Sequence, residues 1–183
     1  MLWHNFPECR HTSKGNPLTV REVFEAAREA AIEMRTISEQ AESRREAIGV
    51  QGHDMGTHSK SGILDPMRKV LELIMWEEQQ VSSSGLEQLV DDANELVVGM
   101  STFEPPVCVE IISKYYLMGE SWGSIVRGNR RMGLGPISER LPVLAGKDME
   151  TQVAIVEKLA DAAIADCEQM GIPHLRRLAA GLE

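Results

Sequence analysis

The residues best suited to chemistry lie between Ser113 and Lys147. There Lys114, Arg127, Arg130, Arg131, Arg140 and Lys147 outnumber Glu120 and Glu139, in a chain whose formal net charge is −9. Guanidinium and ammonium groups gathered on a glycine-rich stretch are what phosphate oxygens select, by charge and by paired hydrogen bonds. Arg127, Arg130, Arg131, Arg140 and Lys147 are therefore the candidate DNA- or RNA-facing residues. The plainer alternative is that these side chains solvate a surface loop or pair with acidic helices. Both readings stand on the sequence.

Other constellations are weaker. His4, Cys9 and His11 could ligate a metal, but a structural zinc site needs a fourth ligand at regular spacing, and none follows. His53, Asp54 and His58 fall in a polar, glycine-containing connection. The acids Glu72, Glu77, Glu78, Glu87, Asp91, Asp92 and Glu95 lack the Glu-x-x-His pattern of a two-metal helical site and read as a solvated face. Phosphate-binding loops, dinucleotide fingerprints, nucleophile elbows and zinc-protease motifs are all missing. No catalytic residue, metal or cofactor is expected, and the chain reads as a non-enzyme.

The elements that must position the basic cluster are helical. Aromatic residues make up only 4% of the 183 residues while hydrophobic residues reach 43%, so the core rests on aliphatic side chains and methionine. Strands favour aromatic and β-branched residues, and this composition favours helices. The cysteines Cys9, Cys108 and Cys167 form no paired pattern, which suggests a reducing compartment. No apolar run is long enough for a membrane span, and the N-terminus is too polar for a secretion signal. A cytoplasmic protein is expected.

Residues 1–18 read as an irregular tail. Thr19 with Glu22 forms a capping-box pattern. Val23, Ala27, Ala30, Met34, Ile37, Ala41 and Ile48 then predict a long amphipathic helix to about Ile48, broken only by Arg44. Residues 49–64 read as a flexible loop. Asp65-Pro66 restarts a helix, and apolar spacing continues from Met67 to Met100 across Ser82–Gly85. One helix, bent at the serines, is favoured over two, with Ser84 and Glu87 as a second capping box. Residues 19–100 thus form an antiparallel helical hairpin. Residues 101–183 begin at a proline break, carry a helix over Pro106–Met118 and another over Ser121–Arg127, and cross the irregular stretch Gly128–Gly146. Asp148 caps a last long helix ending near Gly171.

The junction Tyr116-Leu-Met-Gly119-Glu-Ser121-Trp122-Gly-Ser-Ile125 carries a resemblance. The chain resembles a group of phage-associated transcriptional regulators whose C-terminal part is similar to the helix-turn-helix of sigma factor region 4. The resemblance covers the layout of about Thr19–Gly171, with the specific match confined to this junction. It implies a helix-turn-helix in which Ser121 caps the first helix. Gly119 would permit the turn, while Trp122 and Ile125 lock that helix to the preceding one. Three features depart from the pattern. Gly123 stands where a helix former is expected. No second helix follows within a short turn: either Pro136–Leu141 is a short recognition helix, or Gly128–Gly146 is an insertion and the helix from Asp148 takes that role. That last helix is also strongly acidic, which phosphate would repel.

The expected protein is all-α: a long antiparallel hairpin packed with a C-terminal helix-turn-helix-like bundle. The expected function is a DNA-binding transcriptional regulator of phage or mobile-element type. The alternative is a helical interaction module, associated with RNA polymerase or another transcription protein and without DNA contact. Apolar stripes on three helices also suggest a homodimer.

Overall fold

The computed structural model describes residues 19–53, 64–128 and 135–182. Among these residues every regular element is helical, and strands are absent. The all-α expectation holds. The tail 1–18 and most of the connection 49–64 lie outside the described residues.

Helix α1 spans Val20–His53. Its start is a reciprocal capping box: the Glu22 amide donates to Thr19 Oγ at 3.2 Å, and the Thr19 amide donates to the Glu22 carboxylate at 2.8 Å. The helix runs past the expected end at Ile48, because propagation adds a hydrogen bond per residue and no proline stops it. Helix α2 covers Leu64–Ser84, starting one residue ahead of Asp65. Pro66 falls in its first turn, where a missing amide costs nothing.

Helix α3 covers Leu86–Met100, so residues 64–100 form two helices rather than one bent helix. Gly85 separates them in the left-handed region at φ 69°, a conformation that interrupts a right-handed helix. The expected Ser84 capping box does not form. Ser84 Oγ instead donates to the Val81 carbonyl and closes α2 from within. Both helices pack against α1. Arg44, the break in the α1 stripe, lays its guanidinium 4.3 Å above the Trp76 ring of α2, and Arg45 pairs with Glu77. The break is a cation–π contact with the facing helix.

Helix α4 covers Pro106–Ile112, α5 Trp122–Arg127, α6 Met149–Met170 and α7 Ile172–Ala179. Asp148 caps α6 by accepting from the Thr151 amide at 2.9 Å, as expected. The main core gathers Phe24 of α1, Leu96 and Met100 of α3, Ile111 and Ile112 of α4, Ile125 of α5, Ile164 of α6 and Leu175 of α7. Cys108 and Cys167 are buried there as small apolar groups. Among the described residues no helix is long and apolar enough to cross a membrane.

α3 and α7 approach closely at Gly99. A Cβ added at Gly99 would overlap the Leu175 carbonyl oxygen and lie 2.9 Å from its carbon. The neighbour is backbone and cannot swing aside. Gly99→Ala should therefore destabilise the fold by about 2 kcal/mol despite its better helix propensity. A urea midpoint equal to or above that of the wild type would contradict this packing.

Candidate nucleic-acid interface

The junction between α4 and α5 is built around an over-wide helix end. After Ile112 the chain continues as a π-helical turn over Ser113–Leu117. The Met118 amide donates to the Ser113 carbonyl at 3.1 Å, and the Glu120 amide reaches back to the Lys114 carbonyl at 3.0 Å. Gly119 sits at φ 62°, the left-handed geometry that ends a helix with a reversal. A π turn leaves carbonyls without helical partners.

Two arginines of α1 satisfy them. Arg28 donates to the Tyr115 carbonyl at 2.6 Å and to the Glu120 carbonyl at 3.1 Å. Arg35 donates to the Met118 carbonyl and, at 3.4 Å, to that of Gly119. Cations are favoured at a helix C-terminus, where the macrodipole is negative.

The side chains continue the same contact. The Arg28 guanidinium lies 3.7 Å above the centre of the Tyr115 ring. The Trp122 indole stacks on that ring at 3.6 Å with an 8° tilt. Two groups this close to one ring centre must take opposite faces, so Tyr115 is sandwiched between Arg28 and Trp122. Ser121 is extended (φ −79°, ψ 153°) and accepts from the Ser124 amide, which makes it the N-cap of α5 as expected. Ile125 is buried in the core beside Tyr116, whose ring packs on Phe24 at 5.3 Å. Burial pushes the Tyr116 hydroxyl up to about 12, so it stays neutral and does no acid–base work. Burial likewise raises the Cys167 thiol to about 12, which removes it as a nucleophile.

The expected basic residues are not equivalent. Arg127 and Lys147 are exposed. The Arg127 guanidinium folds back over Gly123: a Cβ added there would lie 3.7 Å from its Nη2. Arg140 pairs with Glu110 of α4, whose other carboxylate oxygen holds the buried Lys114 ammonium at 2.7 Å. Burial pushes the Glu110 carboxyl upward, but hydrogen bonds from Lys114 and Arg140 outweigh it and the net shift is down. Arg140 is thus an intramolecular partner here. Arg130 and Arg131 lie outside the described residues.

Pro136–Leu141 does not form a short recognition helix. It holds one 3-10 turn, Ile137–Glu139, followed by another at Pro142–Leu144. The prolines on either side leave room for a single turn, and Ile137 and Leu144 point into the core. The next α-helix after α5 among the described residues is α6, and α5 packs directly on it.

Arg28 and Arg35 belong to this junction and were absent from the sequence reading, which placed Tyr115 on the apolar helix end but gave it no role. A signal was present: Arg21, Arg28 and Arg35 recur every seven residues along α1, and Arg21 pairs with Asp161 of α6 at 2.9 Å. Comparison with protein-family models, with curated proteins and with solved structures finds no match to the chain.

Two expectations follow. Arg28→Ala and Trp122→Ala each weaken one sandwich, so a double-mutant cycle should return a coupling of about 1 kcal/mol. Strict additivity in urea unfolding would mean that the two faces of Tyr115 act independently. Glu110→Gln leaves Lys114 buried without its counter-charge and should cost about 2 kcal/mol near neutral pH. Because the folded-state value of Glu110 is lowered, its contribution is complete above the unfolded value and is lost as pH falls through the folded one. The stability gap between wild type and Glu110→Gln should close on acidification. A gap that widens would refute the assignment.

Proposed function

We propose that the protein is a DNA-binding transcriptional regulator of phage or mobile-element type, with no catalytic role, acting in the cytoplasm. The observation that carries this reading is the junction itself. A glycine reversal leads into the Ser121-capped α5, which is locked by the Trp122–Tyr115 stack and ends on exposed Arg127. A helix positioned in this way supports a reading as the first helix of a helix-turn-helix. In this reading α6 is the second helix, and residues 128–147 are an insertion that brings Arg130, Arg131 and Lys147 to phosphate beside Arg127 at the end of α5. Arg140 contributes to the local potential while it stays paired with Glu110.

A second reading is favoured by a specific observation. α6 carries Glu150, Glu157, Asp161, Asp166 and Glu168 against Lys158, and Arg140 is already ion-paired. An acidic second helix suits a basic protein partner, such as a transcription protein associated with RNA polymerase, better than DNA.

Fluorescence anisotropy against duplex DNA across a salt series separates the two. The regulator reading expects binding whose logarithm falls steeply with salt, and loss of binding on Arg130→Glu/Arg131→Glu. Unchanged binding by that variant would remove the assigned site. No binding at low salt would leave the interaction-module reading.

A further inference from the structure

Among the described residues, helix α2 is clothed on one side only. It packs on α1 and, apart from its junction with α3, makes little contact with any other described element. The face towards α1 carries buried Leu73 together with Trp76 and Glu77. About 3.6 residues per turn place Arg68, Leu71, Met75 and Glu78 on a stripe roughly opposite Leu73, with Ile74 on its flank. Leu71 is 56% and Met75 67% exposed, and Ile74 is at 36%. Apolar side chains grouped in this way on a charged arm mark an association surface rather than scattered exposure.

The order of residues along the stripe selects the occupant. It reads cation, apolar, apolar, anion: Arg68, Leu71, Met75, Glu78. Two copies laid antiparallel, with the twofold axis level with Leu73, place Leu71 against Met75 of the second copy and Arg68 against its Glu78. Both ends of the pair are then oppositely charged, and the twofold repeats each contact. A parallel pairing would oppose like charges at both ends. We propose that the outer face of α2 is a self-association surface, on which a second copy of this chain packs antiparallel through Leu71, Met75 and the Arg68–Glu78 pairs. The proposal is independent of the DNA reading. Arg68 also holds Glu72 on its own helix at 2.8 Å, an exposed pair of small worth that leaves the stripe's polarity intact. A stable dimer buries about 800 Å² per partner, and this short stripe offers less, so the association expected is micromolar rather than permanent.

The test is the mass of the full chain in solution, by light scattering and sedimentation from ~5 to ~500 μM, the range in which micromolar affinity shows. Twice the 20.3 kDa chain mass should appear with rising concentration. Leu71→Glu/Met75→Glu should remain monomeric throughout, with helical circular dichroism and melting unchanged because both side chains are exposed. Arg68→Glu and Glu78→Arg should each weaken association at least tenfold, and the double charge swap should restore it. Glu72→Gln should leave association unaltered, which separates the intermolecular pair from the intrahelical one. A wild type that is monomeric at every concentration overturns the proposal. So does a dimer that survives Leu71→Glu/Met75→Glu, or a charge swap that restores nothing.

Discussion

The C-terminal half depends on satisfying the carbonyls of one helix end. The π turn after α4 widens the helix, and the reversal at Gly119 then turns the carbonyls of Tyr115, Met118, Gly119 and Glu120 away from any helical amide. Unpaired carbonyls in a partly buried junction are costly, and water cannot fully replace the missing donors. Arg28 and Arg35 of α1 supply them. The same Arg28 then supports Tyr115 from below while Trp122 covers it from above. One side chain therefore fixes the end of one helix, the start of the next and the packing of both against α1.

The other charged contacts are organised around the same core. Arg21 holds Asp161 across α1 and α6, Arg176 meets Glu95 across α7 and α3, and Glu110 gathers Lys114 and Arg140. Exposed pairs of this sort add little each. Glu110 differs because Lys114 is buried, so its carboxylate compensates a charge already taken out of water. It also ties the segment before α6 to α4, with Ile137 and Leu144 seated in the core. The cost of this order is that Arg140, though still exposed, is engaged in an intramolecular ion pair, and that bears on both functional readings.

Much of the local structure was legible from residue types. The reciprocal box at Thr19 and Glu22, the caps at Ser121 and Asp148, and the glycine reversal at Gly119 are set by groups within a few residues of one another. The apolar spacing on α1 and over Leu86–Met100 identified the buried faces, because burial repeats with the helical period, whereas Leu71 and Met75, in the apolar spacing of α2, are exposed. The misreadings have the same physical root. Apolar periodicity carries on across Ser82–Gly85, yet a single left-handed glycine ends α2 there. Arg44 looked like a defect in a stripe until Trp76 was opposite it.

The sequence by itself determined an all-helical chain, where most helices begin and end, and which face of each is apolar, since these follow from hydrogen bonds and spacing within one or two turns. Only the tertiary structure decided which cations are committed internally. Arg28 reaches carbonyls nearly ninety residues away, and Arg140 reaches a carboxylate thirty residues back. Sequence shows that an arginine is present and charged. Which acceptor lies within hydrogen-bond reach is fixed by how the helices cross, and that is a property of the packed core.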